Sequence, residues 1–123
     1  MNKVEEITEK TKEAILEGIQ KIKGKDIAII NLNSIGYTEC GYFIICHGSS
    51  STQVSSIAQS VEQTVKEETG ENAWHVEGYK NSTWVLLDFG EIVVHVFHED
   101  ARKFYSLEEL WADAKLTKVD SDN

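Results

Sequence analysis

The chain has 123 residues, 41% of them hydrophobic and 27% charged, with two cysteines and no proline. These figures predict one soluble globular domain that folds without disulfides or a metal. The formal net charge of −9 argues against tight sequence-independent binding to nucleic acid. No apolar run approaches the roughly 20 residues of a membrane-spanning helix. The acidic N-terminal sequence does not resemble a signal peptide, so we expect a cytoplasmic protein that binds no membrane.

The first part of the chain predicts a helix followed by two strands. Apolar residues recur at helical spacing from Val4 to Ile22, and Gly24 is a typical helix stop. The β-branched run from Asp26 to Leu32 predicts a buried strand, and Gly41 to His47 predicts another. The residues between the two strands are expected to form a loop.

The middle of the chain predicts a capped helix and three strands. Ser50 and Gln53 have the spacing of a capping box, and an apolar stripe continues from them to Gly70. Two of the strands that follow are predicted to form a hairpin that turns at Phe89-Gly90. The three predicted strands are Trp74 to Glu77, Thr83 to Asp88 and Glu91 to Phe97.

The last part predicts helix and then disorder. The spacing of Phe104, Leu107, Leu110 and Trp111 is typical of one helix or of two short helical pieces. The order αββαβββα predicts an α/β (α+β) fold, a mixed sheet with flanking helices. We place a single domain at residues 1–114 and a polar, disordered tail at residues 115–123.

The cysteines and histidines do not suggest a disulfide or a metal site. Cys40 and Cys46 are six residues apart, too far for a disulfide if the segment between them is extended. His95 and His98 lie three apart in a strand, so they are expected to face opposite sides. We therefore predict two reduced thiols, no metal and no cofactor.

The turn Gly48-Ser49, between a strand and a helix, is the feature most typical of an enzyme. Exposed amides at a helix N-terminus favour phosphate, and nucleotidyltransferases use such a turn. Those enzymes also need two acids at i and i+2 on the next strand to hold divalent metal. The only such pair after Gly48 is Asp120 and Asp122, in the predicted tail. This favours a plain helix cap, with no catalytic residue.

The predicted hairpin has the composition of a protein docking site. It carries Trp84, and its tip places Phe89 between the acids Asp88 and Glu91. An aromatic anchor with an acidic rim suits a basic protein surface. The residues alone leave open that Trp84 and Phe89 belong to the core instead.

Five separated segments of residues 5–113 carry a resemblance to a known family. They are Phe43-Ile-Ile-Cys-His-Gly-Ser-Ser50 with Gln53, Val76-Glu-Gly78, Trp84-Val-Leu-Leu-Asp-Phe-Gly90, Val93-Val-His-Val-Phe97, and Arg102 through Tyr105-Ser-Leu-Glu-Glu-Leu-Trp111. Together they resemble the ribosomal silencing factor family (RsfS), also called Iojap. Two departures are His47, where the family usually has Thr, and Glu39-Cys-Gly-Tyr42 in place of Ala-Asp-Tyr.

The resemblance implies a degenerate nucleotidyltransferase-like fold and a non-enzymatic repressor of translation. Such a protein docks on the large ribosomal subunit, on the ribosomal protein numbered fourteen in that subunit, and sterically blocks joining of the small subunit. Assistance in late assembly of the large subunit is a further implication. The family's contact positions match Trp84, Phe89 and His98. On physical grounds we add Leu86, Asp88 and Glu91 as partner-binding residues.

The sequence leaves open two other classes of function, the oligomeric state of the free protein and the role of Arg102. The chain could be a nucleotidyltransferase-like enzyme using Gly48-Ser49, or an adaptor for another basic protein. An exposed apolar strand surface tends to become covered, which leaves open a homodimer of the free protein. Arg102, the single arginine, is expected to pair with Glu108 or Glu109 rather than with a partner.

Overall fold

A computed structural model describes residues 2–120, which contain four α-helices, a 3₁₀ turn and six strands. In chain order these are α1 (Lys3–Lys21), β1 (Lys25–Asn31), the 3₁₀ turn (Leu32–Ile35), β2 (Tyr42–Gly48), α2 (Ser51–Thr69), β3 (His75–Glu77), β4 (Trp84–Asp88), β5 (Ile92–His98), α3 (Glu99–Tyr105), α4 (Leu107–Leu110) and β6 (Lys115–Val119). None of the helices in this part of the chain is long and apolar enough to span a membrane.

The strands form one mixed sheet in the order β3-β4-β5-β2-β1-β6. The central pair, β2 and β5, is parallel, and the other four pairs are antiparallel. The predicted α+β class with a mixed sheet and flanking helices is therefore confirmed. Likeness to nucleotidyltransferases stays a prediction.

The long helices α1 and α2 cover one face of the sheet because both have a continuous apolar stripe. Ile15, Ile19, Ile57 and Val61 are fully buried between the helices and the sheet. Gly18 allows the two helices to cross closely, since a Cβ there would lie 2.7 Å from Cα of Val61. The sequence predicted both helices. The bounds of α2 are confirmed, including the Ser50 cap, whose hydroxyl accepts a hydrogen bond from the amide N–H of Gln53 at 3.1 Å, whereas α1 ends at Lys21, before the predicted stop at Gly24.

The short helices α3 and α4 lie on the other side, next to a smaller apolar cluster. Leu107 is buried in that cluster with Phe97. Trp111 follows α4 and makes an edge-to-face contact with Tyr37, their ring centroids 5.0 Å apart. The two helical pieces are separated at Ser106, which has a φ of 48° and ends α3. The C-terminal helix is thus present as two short pieces, one of the two forms that the sequence indicated.

Strand β6 differs from the disordered tail predicted for Lys115 to Asn123. It pairs with β1 from Asn31↔Lys115 to Ile27↔Val119 and extends the sheet beyond residue 114. Its side chains are mostly exposed and polar, so hydrophobic periodicity could not identify it. Backbone pairing to the free edge of β1 forms the strand instead. Residues 121–123 lie outside the described part.

Both cysteines are free and buried, as the sequence predicted. Burial, with help from nearby Asp88, raises the pKa of the Cys40 thiol to about 11. Burial also raises the pKa of the Cys46 thiol to about 12. Neither thiol is a reactive thiolate near neutral pH.

Candidate docking surface

The sheet face opposite α1 and α2 carries the candidate docking surface, and we call it the far face. Alternation along β4 places Trp84, Leu86 and Asp88 on this face, each partly exposed, while Val85 and Leu87 are fully buried beneath the helices. On the neighbouring strand β5, the far face is formed by His95 and Phe97 together with Val93. The register pairs Trp84 with Phe97, Leu86 with His95, and Asp88 with Val93.

Trp84 is the centre of an aromatic group on the far face. Its indole lies 4.9 Å from the ring of Phe97 and 4.7 Å from that of Tyr105, between centroids. Its N–H donates a hydrogen bond to Nδ1 of His95 at 3.1 Å. The polar atom of the indole is therefore satisfied within the protein, and the accessible part of the ring is apolar.

His95 is the buried residue that accepts the hydrogen bond of the Trp84 indole. The sequence did not indicate it as a site residue. It is 4% exposed, and its Nε2 has no hydrogen-bond partner among the described residues. Burial lowers its pKa to about 4, so the imidazole is neutral at physiological pH. Because Nδ1 accepts from Trp84, the proton of the neutral ring lies on Nε2. The alternation in β5 was the available signal, since it places His95 beside Phe97.

Leu86 and Asp88 lie on the far face with Trp84, as the docking interpretation requires. Leu86 is partly exposed opposite His95. Asp88 Oδ1 accepts a hydrogen bond from the amide N–H of Gly90 at 2.8 Å and so stabilises the hairpin turn. That bond leaves the carboxylate at the tip of the hairpin, at the edge of the surface.

Phe89 does not occupy the position that the sequence analysis assigned to it. Its side chain is 8% exposed and packs in the main core on the side of α1 and α2. The exposed aromatic anchor predicted at the tip is therefore absent from this structure, and Phe89 follows the core alternative. The physical reason is alternation: Phe89 follows Val85 and Leu87 on the side that the helices cover, where its apolar ring is removed from water.

Glu91 and His98 lie at opposite ends of β5, roughly 20 Å apart for a strand of this length. Glu91 is exposed at the hairpin tip. His98 is the N-cap residue of α3, and its Nδ1 accepts a hydrogen bond from the amide N–H of Asp100 at 3.3 Å. The six predicted residues therefore do not form one compact patch: three share the far face, two lie at opposite ends of β5 and one is in the core.

Two exposed aromatic residues next to Trp84 extend the candidate surface. Phe104 and Tyr105 are 82% and 49% exposed, and their rings meet edge to face at 5.1 Å. Leu110 on α4 is also exposed. The sequence identified Phe104 and Leu110 only as members of an apolar helical spacing. The break at Ser106 turns α3 and α4 apart, so one helical face does not serve both pieces.

The Gly48-Ser49 turn is a helix cap in this structure. The amide N–H of Ser49 donates to Oε1 of Gln53 at 2.8 Å, and the Nε2 group of Gln53 donates to the carbonyl of Ile22 at 3.2 Å. One of the amides that could face a phosphate is thus already paired. Within residues 2–120 no group of three or more His, Cys, Asp or Glu residues is arranged to hold a metal ion.

Arg102 is the centre of a polar cluster at the carboxyl ends of β2 and β5. It is buried, and its guanidinium donates to Glu108 Oε2 at 2.8 Å, to His47 Nδ1 at 2.9 Å and to the carbonyl of Lys25 at 3.3 Å. Burial alone would raise the pKa of Glu108, but the hydrogen bond and charge of Arg102 outweigh it and lower that pKa. The predicted pairing of Arg102 with Glu108 is confirmed.

Comparison with known proteins identifies a family model that matches this chain. Residues 5–123 match the sequence model of a family described as "Ribosomal silencing factor during starvation". The matched region extends through β6, beyond residue 113, where the resemblance noted in the sequence ended.

Individual relatives and solved structures agree with that match. The ribosomal silencing factor of Bacillus subtilis is 41% identical over 98 residues, which cover 80% of this chain and 81% of that protein. The chloroplastic Iojap protein of Zea mays is 30% identical over 89% of this chain and 46% of that protein. A crystal structure from Chromobacterium violaceum aligns with a TM-score of 0.75 and 34% identity over 90% of this chain and 88% of that chain. A second, from Bacillus halodurans, has a TM-score of 0.70 and 35% identity over 88% and 94% of the respective chains.

Proposed function

This chain belongs to the ribosomal silencing factor family, and we propose that it binds the large ribosomal subunit and blocks joining of the small subunit. The partner on the large subunit is its ribosomal protein number fourteen. Binding is stoichiometric and involves no catalysis and no cofactor. Translation is lowered because the compact body of the protein occupies space that the small subunit needs.

The observation that supports this proposal most directly is the state of Trp84. The indole is partly exposed on the far face, yet its N–H is already bonded to His95. A tryptophan presented in this way offers apolar contact area at little entropic cost, because His95 and the Tyr105 ring restrict its orientation. Leu86 continues the same apolar surface along β4.

The acidic charge of the protein supports recognition of a basic protein on the ribosome. A net charge of −9 attracts a basic ribosomal protein, while the surrounding ribosomal RNA repels the same charge. An approach in the correct orientation is therefore favoured over others. We expect modest salt dependence of the affinity, and a thousandfold loss between low and physiological salt would indicate direct RNA binding instead.

Co-sedimentation with ribosomal particles tests the proposal. Wild type and Trp84→Ala would be mixed with isolated large subunits, isolated small subunits and joined ribosomes. We expect wild type to travel with large subunits only and to prevent rejoining, and Trp84→Ala to do neither while staying folded. Leu116→Ala is the matched control, because Leu116 is also exposed but lies on β6, at the opposite edge of the sheet from β3.

Two outcomes would point to the other classes of function. Magnesium-dependent binding of ATP, measured by calorimetry, would favour a nucleotidyltransferase-like enzyme using Ser49. Absence of wild-type protein from every ribosomal particle would favour an adaptor for a different basic protein. Sedimentation equilibrium of the free protein measures whether the uncovered far face forms a homodimer.

A further inference from the structure

A second candidate surface lies where the first turns of α1 meet the tip of the β4–β5 hairpin. This groove, which we call the tip groove, has a volume of about 340 Å³. Its apolar lining includes Ile7, Trp74 and Phe89, and its acidic lining is Glu39, Glu71 and Glu91. It is separate from the surface around Trp84, because Phe89 lies on the side of the sheet that α1 and α2 cover.

The apolar side of the tip groove includes the ring of Trp74, which packs against the turn of the β4–β5 hairpin. The Trp74 ring lies against Gly90, where a Cβ would come within 3.0 Å of the ring. Trp74 nevertheless is 79% exposed, and Ile7 on α1 is 47% exposed. Large apolar side chains that remain accessible around a concave site indicate a binding surface.

The acidic part of the tip groove has no compensating cation. Among the described residues that line it, three are glutamates and none is lysine, arginine or histidine. One of these carboxylates is fixed, since the buried hydroxyl of Thr11 donates to Oε2 of Glu71 at 2.7 Å. The same acidic field extends to Cys40, whose pKa is raised first by burial and then by Asp88, Glu91 and Glu39.

We propose that the tip groove binds a basic segment of a protein partner. Lysine and arginine side chains have an apolar stem and a cationic head, which match an apolar floor with an acidic rim. The stems would lie along Phe89 and Trp74, and the heads would reach the three glutamates. A neutral apolar ligand would bring no cation to the three glutamates, and a nucleic acid would be repelled by them.

This inference does not depend on ribosome binding, because the tip groove and the surface around Trp84 lie on opposite sides of the sheet. The free protein can therefore be tested with a synthetic peptide. The leucine probe is a fluorescein-labelled peptide of nine residues with the repeat Lys-Leu-Arg. A second labelled peptide, the serine probe, has Ser in place of each Leu. Fluorescence anisotropy at physiological salt gives the affinity.

Two triple variants with equal charge separate groove binding from general attraction. Glu39→Gln, Glu71→Gln and Glu91→Gln together neutralise the groove. The control combines Glu13→Gln, Glu67→Gln and Glu109→Gln, which are exposed and lie outside the groove. We expect the groove variant to lose at least tenfold in affinity and the control less than twofold. The probe with Ser should also bind at least fivefold more weakly.

A third variant and the positions of the amide chemical-shift changes distinguish loss of groove binding from loss of folding. Trp74→Ala removes a mostly exposed ring, so the protein should stay folded while binding the leucine probe about fivefold more weakly. Amide shifts on titration should cluster at the first turns of α1 and at Gly90. Equal losses for both triple variants would overturn the proposal, as would shifts confined to the far face around Trp84. Failure of ribosome binding in co-sedimentation would overturn the proposed function alone.

Discussion

The indole of Trp84 and the imidazole of His95 are joined across the β4–β5 pair by a hydrogen bond of 3.1 Å. The two residues are diagonal neighbours, since Trp84 is paired with Phe97 and His95 with Leu86. The bond satisfies the only polar atom of the indole and orients the ring. Burial keeps the His95 ring neutral at neutral pH, so Nδ1 stays available as the acceptor for the indole N–H. Protonation of Nδ1 would remove that acceptor.

Replacing His95 by leucine should lower the stability of the folded protein. His95→Leu leaves the indole N–H of Trp84 without its acceptor, and we expect a loss of about 1–3 kcal/mol in the free energy of unfolding. Urea denaturation measures the loss. The double variant with Trp84→Phe should lose less than the sum of the two single variants, because phenylalanine has no N–H to satisfy. Additive losses would show that the bond contributes nothing.

Stability should fall as the pH drops from 6.5 toward 4. Burial holds the pKa of folded His95 at about 4, below the value of 6.5 for a free histidine. Between these values the unfolded chain binds a proton that the folded chain does not, so unfolding becomes easier as pH falls, by about 3 kcal/mol in total. Burial lowers the pKa of His47 too, with the same sign. Urea denaturation from pH 7.5 to 4.5 measures the fall.

Variants of two histidines assign this pH dependence. His95→Asn keeps an acceptor near the indole but removes the titrating group, so its stability should fall less over the same interval. His75→Asn is the control, since His75 is exposed on β3 and should keep the wild-type profile. Equal profiles for all three proteins would contradict the assignment to His95.

Phe89 and Trp84 should respond differently to alanine substitution. Phe89 is buried in the main core, so Phe89→Ala should cost about 3–5 kcal/mol of stability. Any loss of subunit binding would then follow from unfolding. Trp84→Ala should lose subunit binding in co-sedimentation while melting closer to wild type. A Phe89→Ala protein of wild-type stability that fails to bind would restore Phe89 as an anchor.

The sequence predicted the elements with a strong hydrophobic period and missed what depends on backbone pairing. Both long helices were found from their apolar period of 3.6. The strands β1 and β2 were found from continuous β-branched or apolar runs, and β3, β4 and β5 from short runs bounded by turn residues. Strand β6 has mostly exposed side chains, and its pairing with β1 leaves no such period. The direction of Phe89 follows the alternation of Val85 and Leu87, a signal that the sequence carried and that the docking interpretation did not use.

The candidate surface was predicted in part for a similar reason. The sequence named Trp84, Leu86 and Asp88 as partner-binding residues, and alternation along β4 explains why the structure has them on one face. The contribution of Tyr105 depends on where α3 packs after Ser106, a residue with positive φ. The sequence allowed two helical pieces there, but serine at that position did not indicate where the break would fall or how α3 would pack.

Arg102→Ala should lower stability more than it lowers subunit affinity. The variant removes the guanidinium from three partners and leaves Glu108 with only the more distant Lys118 ammonium at 3.9 Å, at a cost of about 3 kcal/mol. Thermal denaturation measures this loss, and co-sedimentation measures binding at a temperature where the variant is folded. Lys103→Ala is the control, because Lys103 is an exposed neighbour. Unchanged melting together with lost binding would instead make Arg102 a contact residue.

Gly78 and Gly70 should tolerate alanine to different degrees although both have positive φ. Gly70 has a φ of 79° and no atom within 4 Å of an added Cβ, so Gly70→Ala should cost about 1 kcal/mol of backbone strain. At Gly78, with a φ of 99°, the added Cβ would overlap the carbonyl oxygen of Trp84. We therefore expect Gly78→Ala to cost more than about 3 kcal/mol in urea denaturation. Because the overlap displaces the start of β4, the variant should also bind large subunits more weakly, whereas equal stability of the two variants would mean that β4 is free to shift.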